Sequence, residues 1–460
     1  MTSDKRSDAA REFARTIEQR KLSHVKLAVT DVDGVMRGKY VAAADLLGAL
    51  DDGLGLCSCL LAWDCDDTLY TNNPDGISGW HTGFPDVPVA VIPATMRTLP
   101  HEFDGKGLLV LGEFAGEGAA ICPRATLRRV LDEAGAMGFE VVVGFEYEFA
   151  LFAETSDSAH AKEFRNLKPL SAGNFGYSVL RSANFSALCE DLIRDCSAMD
   201  VPLVGVHTEN GPGIWEAAIA ATDALAAADG AAVFKTFAKD FARRHGLLAT
   251  FMAKWSAEHQ GLGGHIHISL RSAEDQAPVF FDSGRSDSSS LLLDQFVAGQ
   301  LALLPEFTAL VAPNVNSYSR LVPGAWAPTT ATSGADNRTC ALRLIGRTAS
   351  SRRVEFRVPG ADSNPYLALA AAIASGLDGI RGKLPKAEPF HGNAYASARD
   401  AVALPATLAE AARLFGSSEA ARSWFGDAFV SHYVRSREWE EMRFRAAVTD
   451  WELERYLEII

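Results

Sequence analysis

The chain has 460 residues, 48% of them hydrophobic and 22% charged, with 44 basic against 58 acidic side chains and a net charge of −14. This is the composition of a globular protein with room for two or three domains. The acidic balance argues against a nonspecific nucleic-acid binder, which needs a basic surface.

The N-terminus is charged throughout and lacks the apolar core of a signal peptide. The longest apolar run, 366–377, is too short to span a bilayer, so a cytoplasmic protein without a membrane partner is expected. The seven cysteines are scattered, and no zinc-spaced partner follows Cys57, Cys59 and Cys65; they read as reduced thiols. Residues 4–20 carry the pattern of an amphipathic helix. Two strand-like runs, VKLAVTDV and RGKYV, follow and are joined by Asp33-Gly34. Residues 42–51 read as a helix, 64–88 as a loop-rich stretch, and VAVIPA and GLLVLGEF as strands. Residues 1–115 are therefore expected to form a small α+β domain.

The run GEFAGEGAAICPR marks a boundary, and Pro123 opens a helix through Met137. Over 116–460 the expected order is VVVGFEYEFALF, a helix near 183–198, VPLVGVH, WEAAIAA, an Ala-rich helix near 222–245, LLATFMAKW and GGHIHISL. From Thr407 onward the chain reads as mostly helical. Its end, WELERYLEII, has apolar residues at helix spacing, suited to docking on a partner subunit.

Five carboxylates and a histidine fall on strand-like segments of this second region: Glu146, Glu148, Glu209, Glu216, His265 and Glu355. Alternate strand residues share a face, so Glu146 and Glu148 point the same way. Unpaired carboxylates on buried strands are costly. Gathering several of them with one imidazole suits Mg²⁺ or Mn²⁺ better than zinc. Residues 320–357 add Arg320, Arg338, Arg343, Arg347, Arg352, Arg353 and Arg357. Arg353, Glu355 and Arg357 share one strand face. Arginine forks beside metal-binding carboxylates suit phosphoryl transfer from a nucleotide. Arg347 and Arg352 read instead as members of a surface ion-pair network. The irregular loop 316–328, NSYSRLVPGAWAP, is suited to act as a lid. There is no GxxxxGK[ST] or GxGxxG run, so a nucleotide would not be held by a Walker or dinucleotide motif.

In this order, GFEYEF, ENGPGIWE, GGHIHIS, NSYSRLVPG, NRTCALRLIG and RRVEFRVPGADSNPYLALA resemble the glutamine synthetase superfamily over residues 24–370, with a family-like helical C-terminus. In character the chain is most similar to γ-glutamylamine synthetases. The resemblance implies an α+β fold: an N-terminal β-grasp domain over 1–115, and a catalytic domain over 116–460 on a curved antiparallel sheet flanked by helices. It implies a homo-oligomer, a dodecamer of two stacked hexameric rings with active sites between subunits. It also implies ATP with two to three Mg²⁺ or Mn²⁺ ions. One metal site would comprise Glu148, Glu209 and Glu216; the other, Glu146, His265 and Glu355. Arg320 matches the arginine that holds the glutamate α-carboxylate, near the glutamate loop with Gly261. Arg338, Arg343 and Arg353 match phosphate-side arginines, and Arg357 the arginine near the γ-carboxyl. Arg338, Glu355 and Arg357 would serve the reacting groups. His207, His267 and Ser269 sit where the family lines the nucleotide. The implied chemistry activates glutamate as γ-glutamyl phosphate, which an amine then converts to an amide.

The departures concern the acceptor. Glutamine synthetases carry a lid glutamate two residues after VPG, and here that position is Trp326. The DGSS aspartate of the N-terminal domain is also unmatched, because in NNPDGISGW Asp75 is out of register and Asn73 falls nearer. Without those acids, ammonium loses its attractive charge and its proton acceptor. An indole offers an organic amine an apolar or cation–π surface. An amine-using ligase is the leading expectation, ahead of a glutamine synthetase and of a non-catalytic member. Gln260 and Ile214 replace a usual Asn and Gln, respectively. The surroundings of Tyr395, HGNAYAS, do not support adenylylation.

Overall fold

The computed structural model describes residues 7–397 and 400–460. The first helix runs Asp8–Arg20, and the start of its expected range, residues 4–6, lies outside the described residues. Its buried Phe13 and Ile17, four apart on one face, pack on the first sheet. That sheet contains β1 (His24–Thr30), β2 (Met36–Ala42), β3 (Leu54–Cys57), β4 (Asp86–Leu99) and β5 (Gly107–Phe114), in the order β2-β1-β5-β4-β3. β1 and β5 are parallel in its middle; the other pairs are antiparallel.

The second sheet is larger and curled. Its strands are β6 (Phe139–Phe152), β7 (Leu203–Thr208), β8 (Ile214–Ile219), β9 (Thr222–Asp223), β10 (Leu248–Thr250), β11 (Gly264–Ser272), β12 (Ser333–Ala335), β13 (Leu342–Ile345) and β14 (Arg353–Phe356). The main path is β12-β13-β14-β11-β6-β8-β7, with β9 and β10 also paired to β6. All pairs are antiparallel except β12 with β13 at one edge.

β6 shows why the sheet positions a site. Phe145, Tyr147 and Phe149 face the core, where the Phe145 and Tyr147 rings stack at 5.7 Å. Period-2 alternation then turns Glu146 and Glu148 to the other face. Behind the core face lie the helices Pro123–Ala136, Ala224–Arg244, Leu291–Val311 and Pro365–Arg381. The last two are apolar almost all round, which is how fully enclosed helices read.

Some expected elements are broken. The helix near 183–198 is two pieces, Val179–Asn184 and Ser186–Ala198, divided at Phe185. Of LLATFMAKW only Leu248–Thr250 pairs as a strand; beyond it, the Asn316 amide bonds both backbone polar groups of Lys254.

Buried polar bonds join the two sheets. Arg124 forks onto Asp229 and reaches Glu113 of β5, and the Tyr366 hydroxyl donates to Asp229 at 2.7 Å. The long helix Asp427–Ala446 of the C-terminal region holds the start of the 64–85 stretch. Trp439 Nε1 donates to Asp64 Oδ2 at 2.8 Å, and Arg435 Nη1 to Asn73 Oδ1 at 2.6 Å. On the same helix His432 is buried beside the Tyr70 ring, and burial, with help from Arg437 and Arg435, pushes its imidazole down to about 4. The unfolded chain therefore takes up this proton first. The stabilisation is complete above the unfolded value and is lost as pH falls toward the folded one. From about pH 7 to about pH 5 the loss is about 2 kcal/mol. In urea titrations at the two pH values, His432→Gln is expected to lack that part of the decline; equal declines in both proteins would refute it.

All seven cysteines are free. Among the described residues no helix is long and apolar enough to cross a membrane.

Candidate active site

The sheet register explains how residues distant in sequence converge. One cross-strand row runs Arg343, Glu355, His267, across β13, β14 and β11. The next places His265 of β11 opposite Glu146 of β6. A third runs Glu148, Glu216, His207, across β6, β8 and β7. The turn between β7 and β8 requires glycine at 213. Its φ is +68°, and a Cβ there would sit 2.4 Å from the Leu151 carbonyl oxygen. This tight turn holds Glu209 and Asn210 at the rim.

Arg343, Glu355, His265, Glu146, Glu148 and Glu216 of these rows line a cavity of about 270 Å³. All six expected metal-site residues (Glu146, Glu148, Glu209, Glu216, His265 and Glu355) border it, as do Arg338, Arg343, Arg357, Gln260 and Trp326. The ligand atoms group differently from the two expected sets. Glu146, Glu216 and His265 form one group, Glu146, His267 and Glu355 a second, and His207, Glu209 and Glu216 a third, each within 4.8 Å. Glu146 and Glu216 each belong to two groups. Glu148 belongs to none, and its Oε2 accepts from the Gly263 amide at 2.7 Å. The two histidines expected along a nucleotide thus stand within ligand range of the carboxylates. His267 Nε2 lies 3.0 Å from Glu146 Oε1, and His207 Nε2 lies 3.0 Å from Glu209 Oε1.

Crowded carboxylates on one face repel one another. Burial, with the charges of Glu146, Glu148, Glu209 and Glu355, pushes the Glu216 carboxyl up to about 9. Burial acts the same way on Glu146 and Glu355, but their neighbours outweigh it. His265 and His267 hold Glu146 well below the carboxylate range, and His265, Arg357, His267 and Arg343 bring Glu355 down to about 2. A face of buried and half-buried acids, one of them pushed up in this way, with imidazoles between them, fits hard divalent cations.

The arginines divide. Arg343 Nη1 donates to Glu355 at 2.7 Å, and Arg357 also pairs with Glu355. Arg338 is exposed, borders the cavity and forms no ion pair among the described residues. Arg353 Nε donates to His267 Nδ1 at 3.2 Å, and Ser269 lies two residues further along the same β11 face. Arg320 lies apart from them. It is buried and spends its guanidinium on the carbonyls of Val358 (2.8 Å) and Arg357 (3.3 Å), outside the cavity lining. Gly261 makes room for it, since a Cβ there would meet Arg320 Cγ at 2.5 Å.

The loop 316–328 begins as a helical turn, Ser317–Arg320, and then brings Trp326 to the cavity. Trp326 is 48% exposed and has φ +57°, a strained conformation for a bulky side chain. No acid accompanies it in the loop. Asp75 is exposed, and Asn73 is buried against Arg435; neither borders the cavity of its own chain. Tyr177, absent from the expected set, also borders the cavity and stacks on His207 at 4.1 Å. It sits in irregular NFGYS, where no periodicity marks it.

A family model described as the glutamine synthetase catalytic domain matches residues 120–456. The chain belongs to the glutamine synthetase family. It is 43% identical over 442 residues to type-1 glutamine synthetase 2 of Dictyostelium discoideum, covering 95% of this chain and 84% of that one. It is 38% identical over 451 residues to a glutamate–isopropylamine ligase of a Pseudomonas species, covering 96% and 97%. A solved structure titled a GmaS/ADP complex superposes with a TM-score of 0.84 at 26% identity, covering 97% of this chain and 99% of the other. The α+β architecture and its curled sheet are thus those of the glutamine synthetase family, and the chain is a C–N ligase.

Proposed function

We propose that this protein joins the γ-carboxylate of glutamate to an organic amine, with ATP driving the reaction. The observation that carries this reading is the indole of Trp326 on a mostly charged cavity whose lid holds no acid. Divalent cations held by Glu146, Glu209, Glu216, His265 and Glu355, with Glu148, would neutralise phosphate and carboxylate charge there.

In the first step a γ-carboxylate oxygen attacks the terminal phosphorus of ATP; ADP leaves and γ-glutamyl phosphate forms. Arg338, Arg343 and Arg353 steady the phosphate side, and Arg357 orients the γ-carboxyl. In the second step the neutral amine nitrogen attacks the acyl carbon, phosphate leaves, and the proton lost by the nitrogen is taken up by the departing phosphate. Trp326 covers the acyl group, excludes water and presents an apolar face to the amine's carbon chain. Alkylamines, ethanolamine and diamines such as putrescine fit that description. His207, His267 and Ser269 line the nucleotide side, and Arg320 with Gly261 shapes the glutamate side.

Likeness to the isopropylamine ligase supports this reading. Likeness to the Dictyostelium glutamine synthetase favours a second, with ammonium as acceptor. We further propose a cytoplasmic double-ring assembly, in keeping with the exposed Trp451, Leu457, Ile459 and Ile460 of the C-terminal tail.

Phosphate release measured with glutamate, ATP and each of ammonium, methylamine, isopropylamine, ethanolamine, putrescine and spermidine separates the two. Turnover at a far lower KM for one of the amines is expected. Turnover with ammonium at a far lower KM than any amine would overturn the proposal.

A further inference from the structure

We infer that a second cavity binds a small organic anion carrying carboxylate or phosphate groups. This cavity, of about 510 Å³, lies beneath the turn that joins β13 to β14 and shares no lining residue with the carboxylate cavity. Its walls include Ser289, Asp294, Ser333, Arg347, Arg352 and Lys386.

Its charges are unevenly paired. Asp294 is buried and pairs with Arg285 at 2.6 Å and Lys386 at 3.5 Å. Asp287 pairs with Lys386, and Asp336 pairs with Arg343. Every carboxylate on the wall therefore has a cation. The two arginines do not have the reverse. They were expected in a surface ion-pair network, but Arg352 is 8% exposed and meets only neutral acceptors, the Gly346 carbonyl at 3.0 Å and the Ser289 hydroxyl. Among the described residues its Nε has no hydrogen-bond partner. Arg347 is exposed on the same turn and forms no ion pair among the described residues.

A buried guanidinium with no directly paired carboxylate is costly, and an anion at this place would lower that cost. Burial already holds the Arg352 guanidinium below its ordinary value, against the pull of Asp287 and Asp294. The two arginines supply fork donors suited to carboxylate or phosphate. The buried Ser289 and Ser333 add hydroxyls to the same wall. The volume exceeds that of a bare inorganic ion, which points to a dicarboxylate or a phosphate monoester.

The place is also connected. Asp336 borders this cavity and accepts from Arg343 Nε at 2.9 Å, while Arg343 Nη1 donates to Glu355. A single ion pair, Asp336 with Arg343, therefore joins the walls of the two cavities.

Calorimetric titration of the full-length protein with succinate and with glycerol 3-phosphate tests the site. At least one of them is expected to bind, at least tenfold more weakly to Arg347→Gln and Arg352→Gln, and equally well to Arg338→Gln. Arg347 is exposed, so its variant keeps the test valid where Arg352→Gln fails to fold. Succinate binding alone marks a carboxylate site, and glycerol-phosphate binding alone a phosphate site. No binding of either probe overturns the inference. So does binding lost in Arg338→Gln and kept in Arg347→Gln, which would put the anion among the carboxylates.

Discussion

Glu146→Gln is expected to lower turnover by about 10³-fold or more, equivalent to about 4 kcal/mol of transition-state stabilisation. Glu146 is the residue to change because it lies in two of the three ligand groups and contacts both histidines of β11. Glutamine keeps the shape and removes the charge. The half-buried position lies on a strand whose opposite face carries the aromatic core, so the fold is unaffected. Two readouts check the result: phosphate release at saturating substrates, and Mn²⁺ binding by calorimetry, which is expected to weaken in parallel. A variant within tenfold of the parent, with unchanged Mn²⁺ affinity, would remove the carboxylate face from the reaction.

The ease of reading this site from sequence follows from its geometry. Strand alternation is a strict period of two, so Glu146 and Glu148 declare a shared face, as do His265 and His267. The order of the motifs then carried the family and the curled sheet. Strand partnership was less legible. Whether Glu216 sits beside Glu148 or Glu146 depends on register, which turns and bulges set, and no residue type states it. That is why His207 and His267 join the ligand groups in the structure, whereas Glu148 turns to the Gly263 amide. The resemblance places Arg320 on the glutamate side, but its bonds to two carbonyls depend on packing of the loop against residues 357–358, which no motif states. Tyr177 gave no signal, since a lone aromatic in an irregular stretch resembles any surface tyrosine. The helices Leu291–Val311 and Pro365–Arg381 lacked a polar stripe, and without one helical periodicity is silent.

Trp326→Glu is expected to exchange the acceptor. The cavity already holds Glu146, Glu148, Glu209, Glu216 and Glu355, but these acids are tied to imidazoles, arginines, a backbone amide or the proposed cations. None is free to receive an ammonium ion at the lid, and the lid itself carries no acid. A carboxylate placed there would attract ammonium by about 1.4 kcal/mol or more at a partly exposed position, which is about tenfold in KM. The same change removes the apolar face that an amine's carbon chain would cover, costing about tenfold or more in kcat/KM for the amine. The backbone at 326 is left-handed in either case, so Glu inherits the strain of Trp and adds none. Trp326→Phe keeps an aromatic face and is expected to retain the amine. Steady-state kinetics of the three proteins with ammonium and with the preferred amine decide the matter. If Trp326→Glu leaves both acceptors unchanged, the indole only packs the lid, and acceptor choice lies with other groups on the wall, of which Tyr177 stacked on His207 is the nearest in chemistry.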